Sequence, residues 1–160
     1  IINKVIVRNK NSFLAKNIRL DMHDLDVSVR TDSKWMEFII NQIVVNSIKY
    51  VEDNPLIEIY SISDKESVSL IIRDNGIGIS AKDLPRVFEK GFTGENGRSK
   101  YNSTGMGLYL VKKLCLALGN NVLTTSTEGE GTTVKIVFPI GSFTNQMIGD
   151  VNYGFKGKEQ

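Results

Sequence analysis

The sequence predicts an α+β fold, a two-layer sandwich in which a mixed sheet of about five strands carries about three helices on one face. Residues 56–63 and 67–73 alternate apolar with polar around Asp64-Lys65-Glu66. Residues 121–127 and 132–139 do the same around Glu128-Gly129-Glu130-Gly131, so the chain contains two hairpins. Two further stretches, Trp35 to Val51 and Met106 to Leu118, repeat apolar residues at helical spacing. Helices and hairpins follow one another in mixed order, and no internal repeat is present.

In chain order, Ile2, Val5, Ile6, Phe13 and Leu14 predict a first helix ending near Ala15 or Lys16. Ile18, Leu20 and Met22 alternate as a short strand. Asp32 is a candidate N-cap for a helix whose apolar face is Trp35, Phe38, Ile39, Ile43, Ile48 and Val51, with Asn41, Gln42, Asn46 and Lys49 elsewhere around it. That helix ends near Val51, before Asn54-Pro55. The first hairpin leads directly into Asp74, and Ala81 to Val87 can form a short helix. Residues 89–104 have little apolar content and include Gly91, Gly94, Gly97 and Ser103, the pattern of a long mobile loop of the kind that serves as a lid. The helix from Met106 is stopped by Gly119-Asn120-Asn121. Residues 1–140 are expected to form one domain and 141–160 a C-terminal tail, partly disordered and without detectable period.

The 160 residues, 41% hydrophobic and 24% charged, suffice for one domain with a substantial core. A net charge of +2 gives no overall field to attract nucleic acid or an anionic membrane, so any binding is local. The single cysteine, Cys115, lies in the apolar helical run Leu114 to Leu118 and reads as a small buried hydrophobe suited to a reducing compartment. No run approaches the roughly 18 to 20 apolar residues of a membrane span, and the N-terminus lacks a signal-peptide pattern. The chain opens on Ile1-Ile2-Asn3 without an initiating Met, which reads as a soluble piece of a longer protein.

Three segments can carry chemistry. Asp74-Asn75-Gly76-Ile77-Gly78-Ile79 sets a carboxylate at a strand end before two glycines that let backbone approach a ligand, although the same letters also make an ordinary turn. Ser103-Thr104-Gly105-Met106-Gly107-Leu108 sets a glycine pair at a helix N-terminus, where unpaired N–H groups favour phosphate. It does not fit the dinucleotide fingerprint, whose third glycine would fall on Leu110. Asn46, Lys49 and Tyr50 share one helical face. An amide oxygen there suits Mg²⁺ shared with phosphate and water, and Lys49 suits phosphate, while a merely solvated polar face has the same letters.

Together these segments resemble the ATP-binding domain of histidine kinases, in the Bergerat (GHKL) superfamily that also holds gyrase, Hsp90 and the mismatch-repair MutL proteins. Gln42-Ile-Val-Val-Asn46-Ser-Ile-Lys49-Tyr50 looks like the N box, Asp74 to Gly78 like the G1 box, Phe88 to Phe92 like the F box and Thr104 to Leu108 like the G2 box, in family order over roughly residues 1–140. The resemblance implies ATP and Mg²⁺ as cofactors, and Asp74 as acceptor for the adenine amino group with Thr132 supporting it from the next strand. It implies Asn46 as the Mg²⁺ ligand and Lys49 and Tyr50 at the phosphates. Gly76, Gly78, Ile79, Phe88, Thr104, Gly105, Met106, Gly107 and Leu108 would complete the nucleotide site, with Arg98 and Lys100 as the lid cations nearest the γ-phosphate.

The superfamily's ATPases place a water-activating glutamate where this chain has Gln42, and a neutral amide cannot act as that base. The resemblance therefore implies γ-phosphoryl transfer to a protein in preference to hydrolysis. A histidine kinase phosphorylates a His on a separate dimerisation domain; the single His23, in Asp21-Met22-His23-Asp24, lacks that helical context, so this chain is not expected to autophosphorylate alone. Thr31 to Trp35, Gln42, and Phe88 to Arg98 look like the small intramembrane-sensing kinases that partner bacitracin-type ABC transporters. That likeness implies a membrane-anchored homodimer with its kinase domain in the cytoplasm, signalling to a response regulator, whereas the piece alone would be a monomer. Two other readings stay open at this point: an anti-sigma-type serine kinase of the same fold, and a degenerate module that binds nucleotide or a partner without catalysis.

Overall fold

The computed structural model describes residues 1–94 and 103–140, and the expected tail lies outside them. The described chain runs α1 (Ile2–Arg8), α2 (Lys10–Ala15), β1 (Arg19–His23), α3 (Ser33–Tyr50), β2 (Leu56–Ser63), β3 (Ser67–Asp74), α4 (Gly107–Ala117), β4 (Asn121–Thr127) and β5 (Gly131–Pro139). The five strands form one sheet in the order β1-β2-β3-β5-β4, with β1 parallel to β2 and every other pair antiparallel. This is the mixed five-stranded α+β arrangement that the sequence predicts.

Alternation decides which side of the sheet is covered. Ile57, Ile59, Leu70, Ile72, Val134, Ile136 and Phe138 turn inward and join Val5, Phe13, Met36, Ile39, Ile43, Val44, Val111 and Cys115 in one core. Ile62, Arg73 and Leu123 on the strands face solvent, whereas Ile71, between Leu70 and Ile72, is buried outside that core cluster. Burying each large aliphatic side chain contributes roughly 1.5–3 kcal/mol, which holds α3 and α4 on the covered face. Burial also pushes the Cys115 thiol up to about 11, so it packs as a hydrophobe.

Helix α3 is fixed at both ends. Asp32 caps its start by accepting from the backbone N–H groups of Lys34 and Trp35, each at 2.9 Å. At the other end Lys16, the C-cap residue of α2, places its ammonium 2.6 Å from the Ile48 carbonyl and 3.1 Å from that of Lys49, complementing the helix dipole. The turn that carries Lys49 and Tyr50 is thereby tied to the N-terminal helices.

Three local expectations need correction. The first helix is broken at Asn9, whose side-chain amide bonds the Val5 carbonyl at 2.9 Å and Asn41 on α3 at 2.8 Å, competing with helical continuation. Residues 81–87 form only a 3-10 turn at Leu84–Arg86, because Pro85 donates no N–H and disfavours α geometry in the residue before it. Trp35 is 51% exposed, its ring edge-on to Phe38, and Met36 takes the core position instead.

Candidate functional site

A cavity of about 400 Å³ opens between α3, the end of β3, the loop after it and the N-terminus of α4. Asp74 forms its floor because β3 ends there, in register with Thr132 on β5. Its carboxylate is 7% exposed and takes three donors. The N–H groups of Gly76 and Thr132 reach Oδ1 at 3.0 and 3.3 Å, and the Ser47 hydroxyl reaches Oδ2 at 2.9 Å. Burial pushes the Asp74 carboxyl up from its ordinary value, and the three donors pull against that rise.

The loop after Asp74 folds tightly against the β4–β5 turn. Gly78 has φ +67°, and a Cβ there would overlap the Thr127 carbonyl, so only glycine lets the two segments meet. Gly129 N–H closes the contact on the Ile77 carbonyl at 2.8 Å.

On the helix wall, Gln42, Asn46, Lys49 and Tyr50 all face the cavity, as their spacing predicts. Lys49 Nζ donates to Ser103 Oγ, and Tyr50 OH lies 3.2 Å from the same hydroxyl, so both meet the segment that leads into α4. Burial lowers the Lys49 pKa. The Asn46 side chain makes no hydrogen bond among the described residues and presents its amide to the cavity. Opposite, Gly105 has φ +69°, and its Cβ position is filled by Gly91 backbone. Gly91 N–H bonds the Gly105 carbonyl at 3.1 Å, closing the intervening loop at its neck.

Of the residues singled out from sequence, Asn46, Lys49, Tyr50, Asp74, Gly78, Ile79, Thr104, Gly105, Gly107, Leu108 and Thr132 line this one cavity. Three do not. Gly76 lies behind the floor and contributes its N–H to Asp74. Met106 is the N-cap residue of α4. Phe88 packs against the core beneath the Lys112 ammonium, while its neighbours Val87 and Phe92 line the cavity. Arg98 and Lys100 lie outside the described residues. His23, at the end of β1, is not among the lining residues; it stacks on Tyr60 and bonds Asp24 Oδ2 at 2.8 Å, which raises its pKa.

Sequence reading missed Ser47. Its signal was a hydroxyl on the buried face of α3, four residues after Ile43 and one before Ile48, where a polar group needs a buried partner. Asp83 and Glu128, which put two carboxylates on the cavity lining, were also missed and carry no motif.

Residues 31–142 match the family model described as histidine kinase-, DNA gyrase B-, and HSP90-like ATPase. The sensor protein kinase GraS of Staphylococcus aureus (strain JH1) is 49% identical over 127 residues, covering 79% of this chain and 36% of GraS. The chain thus spans about a third of the length of the curated relatives it matches. Among solved structures, the mycobacterial sensor histidine kinase MprB is similar with a TM-score of 0.73 at 23% identity, over 86% of this chain and 95% of that one. Histidine kinase ThkA, solved in complex with the response regulator protein TrrA, gives 0.69 at 19% identity over 86% of this chain and 39% of that chain. At such identities the structural likeness speaks for the fold. The matched family model, together with the fold built around this cavity, shows that the chain belongs to the histidine kinase-, DNA gyrase B- and HSP90-like ATPases, as an ATP-binding domain of the sensor histidine kinase type.

Proposed function

We propose that residues 1–140 hold Mg-ATP in this cavity and present its γ-phosphoryl to a histidine on a dimerisation domain outside the chain, for relay to a response regulator. The observation that carries this reading is the placement of Asp74, Asn46 and Lys49 along one cavity, with the glycine-opened start of α4 across from them. Asp74 is the acceptor for the adenine amino group, and Thr132 beside it holds that acceptor in place. Lys49 and Tyr50 exchange Ser103 for phosphate oxygens. The N–H groups at the start of α4, a helix of 11 residues, favour the triphosphate charge.

The donor set fits Mg²⁺. Asn46 offers one neutral oxygen not committed elsewhere among the described residues, and no cluster of three or more His, Cys, Asp or Glu is present among them. A hard cation held mainly by phosphate oxygens and water needs only such a protein ligand, and it would supply charge neutralisation at the phosphates. Gln42 lines the cavity one turn before Asn46 and cannot take a proton from water, which supports transfer over hydrolysis. GraS at 49% identity and the ThkA–TrrA complex support a response regulator as downstream partner. No described helix is long and apolar enough to cross a membrane. Membrane anchoring, homodimer formation and an ABC transporter partner therefore belong to the proposal for the whole protein.

The test mixes the chain with the dimerisation domain of its own full-length protein and γ-labelled Mg-ATP. Acid-labile, base-stable label on that domain is the expected result. Acid-stable label on a hydroxyl would favour the anti-sigma type of kinase, and failure to bind ATP at all would leave the degenerate module.

A further inference from the structure

We propose that Ser47 and Ser126 set the base selectivity of the cavity, by locking Asp74 and Thr132 as acceptors so that the floor takes a 6-amino purine and turns away a 6-oxo purine. The inference deepens the ATP reading and rests on it.

A serine hydroxyl has one hydrogen to give and two lone pairs to offer. Ser47 is 4% exposed, and its hydroxyl donates to Asp74 Oδ2 at 2.9 Å, so its hydrogen is committed and only lone pairs face the cavity. Asp74 Oδ1 already accepts from Gly76 and Thr132 N–H groups, which leaves the unfilled acceptor capacity of the carboxylate on Oδ2. Ser126 works one layer behind the floor. Its hydroxyl donates to the Gly131 carbonyl at 2.6 Å and accepts from Ile79 N–H at 2.9 Å. The remaining contact, 2.9 Å to Thr132 Oγ1, must then be donated by Thr132, because Ser126 has no second hydrogen.

Both hydroxyl hydrogens near the base are therefore turned away from the cavity, as are both backbone N–H groups. What remains on the floor is a carboxylate oxygen and hydroxyl lone pairs, all acceptors. An exocyclic amino group satisfies such a floor, whereas a carbonyl oxygen meets only lone pairs and loses its own hydration without replacement. Ser126 does not line the cavity and acts through Thr132, so it is a positioning residue; Ser47 lines the cavity and acts on Asp74 directly.

The experiment measures affinity for Mg-ATP and Mg-ITP, which differ in the 6-amino against 6-oxo group, on the chain and on Ser47→Ala, Ser126→Ala and Ser126→Thr. Thermal melts run beside them. The parent prefers ATP by at least about 50-fold, the scale expected when a site built for one polar group meets its opposite. Ser126→Ala frees the Thr132 hydroxyl to donate, so ATP weakens a few-fold, ITP improves, and the ratio falls by about tenfold, while Ser126→Thr restores it. Ser47→Ala removes one of the donors that keep buried Asp74 ionised, so its carboxyl takes a proton more readily and can donate it to a 6-oxo group. ATP then weakens by about tenfold and the ratio narrows. An unchanged ratio in both alanine variants overturns the proposal while leaving the ATP site intact. If Ser126→Ala melts before titration, Ser47→Ala alone decides, and full discrimination retained there overturns it. A parent that binds neither nucleotide overturns the ATP reading itself.

Discussion

The two ends of the cavity are built differently. At the Asp74 end, three donors from α3, the loop after β3, and β5 converge on one carboxylate, and Gly78 lets two backbone segments touch with no room for a side chain. At the Lys49 end, Lys49 and Tyr50 sit on one helix and reach across to Ser103, and among the described residues Gly91 N–H bonds the Gly105 carbonyl nearby. On the proposed function, base recognition would thus rest on the packed fold and phosphate recognition on one helix wall. A substitution at the first end therefore acts on stability and selectivity together. At the second end it acts on ligand binding with little effect on the fold.

The largest effect that sharpens this contrast is Gly78→Ala. A Cβ overlapping the Thr127 carbonyl at positive φ lowers unfolding free energy by about 3 kcal/mol, read by denaturant titration. Asn46→Ala comes next and leaves the melt nearly unmoved. It weakens nucleotide binding in the presence of Mg²⁺ by about 10- to 100-fold, with a much smaller loss when the ion is chelated, as calorimetry with and without chelator shows. Equal losses in both conditions would remove Asn46 from the metal.

Asp74→Asn separates stability from binding through pH. The folded pKa of Asp74 is raised by burial, so in the native state it holds its proton to higher pH than in the unfolded chain. Its stabilising contribution is full below the unfolded value near 3.8 and is lost as pH rises through the folded one. The asparagine variant, which carries no charge to bury, is therefore at least as stable as the parent at neutral pH and loses that advantage as pH falls. Melts across pH read the crossing, and a parent advantage that grows with pH would contradict it. The smallest effect is Lys16→Met, which removes the cation at the end of α3. It costs about 0.5–1 kcal/mol of stability and less than about twofold in ATP affinity.

Much of this was legible in the sequence because it is local. Alternation marked all five strands, Asp32 marked the start of α3, and Gly119, at φ +74°, marked the end of α4. That Asn46, Lys49 and Tyr50 share one face followed from helical spacing, and the resemblance to histidine kinases assigned that face to a nucleotide. The missed features are long-range or competitive. Ser47 meets Asp74 across 27 residues and Ser103 meets Lys49 across 54, separations that only tertiary packing closes. Val87 lines the cavity and Phe88 joins the core, a choice between neighbours that no periodicity in this short segment marks. Asn9 breaks the first helix because its partner Asn41 lies 32 residues away.

Whether Asp74 anchors the base of ATP is read by titration calorimetry of the chain and of Asp74→Asn with a non-hydrolysable Mg-ATP analogue. Replacing the carboxylate removes a hydrogen bond to a charged group, about 1.5–3 kcal/mol, so the account predicts a loss of about 10- to 150-fold in affinity with the fold intact. Equal affinities for the parent and the variant would contradict it.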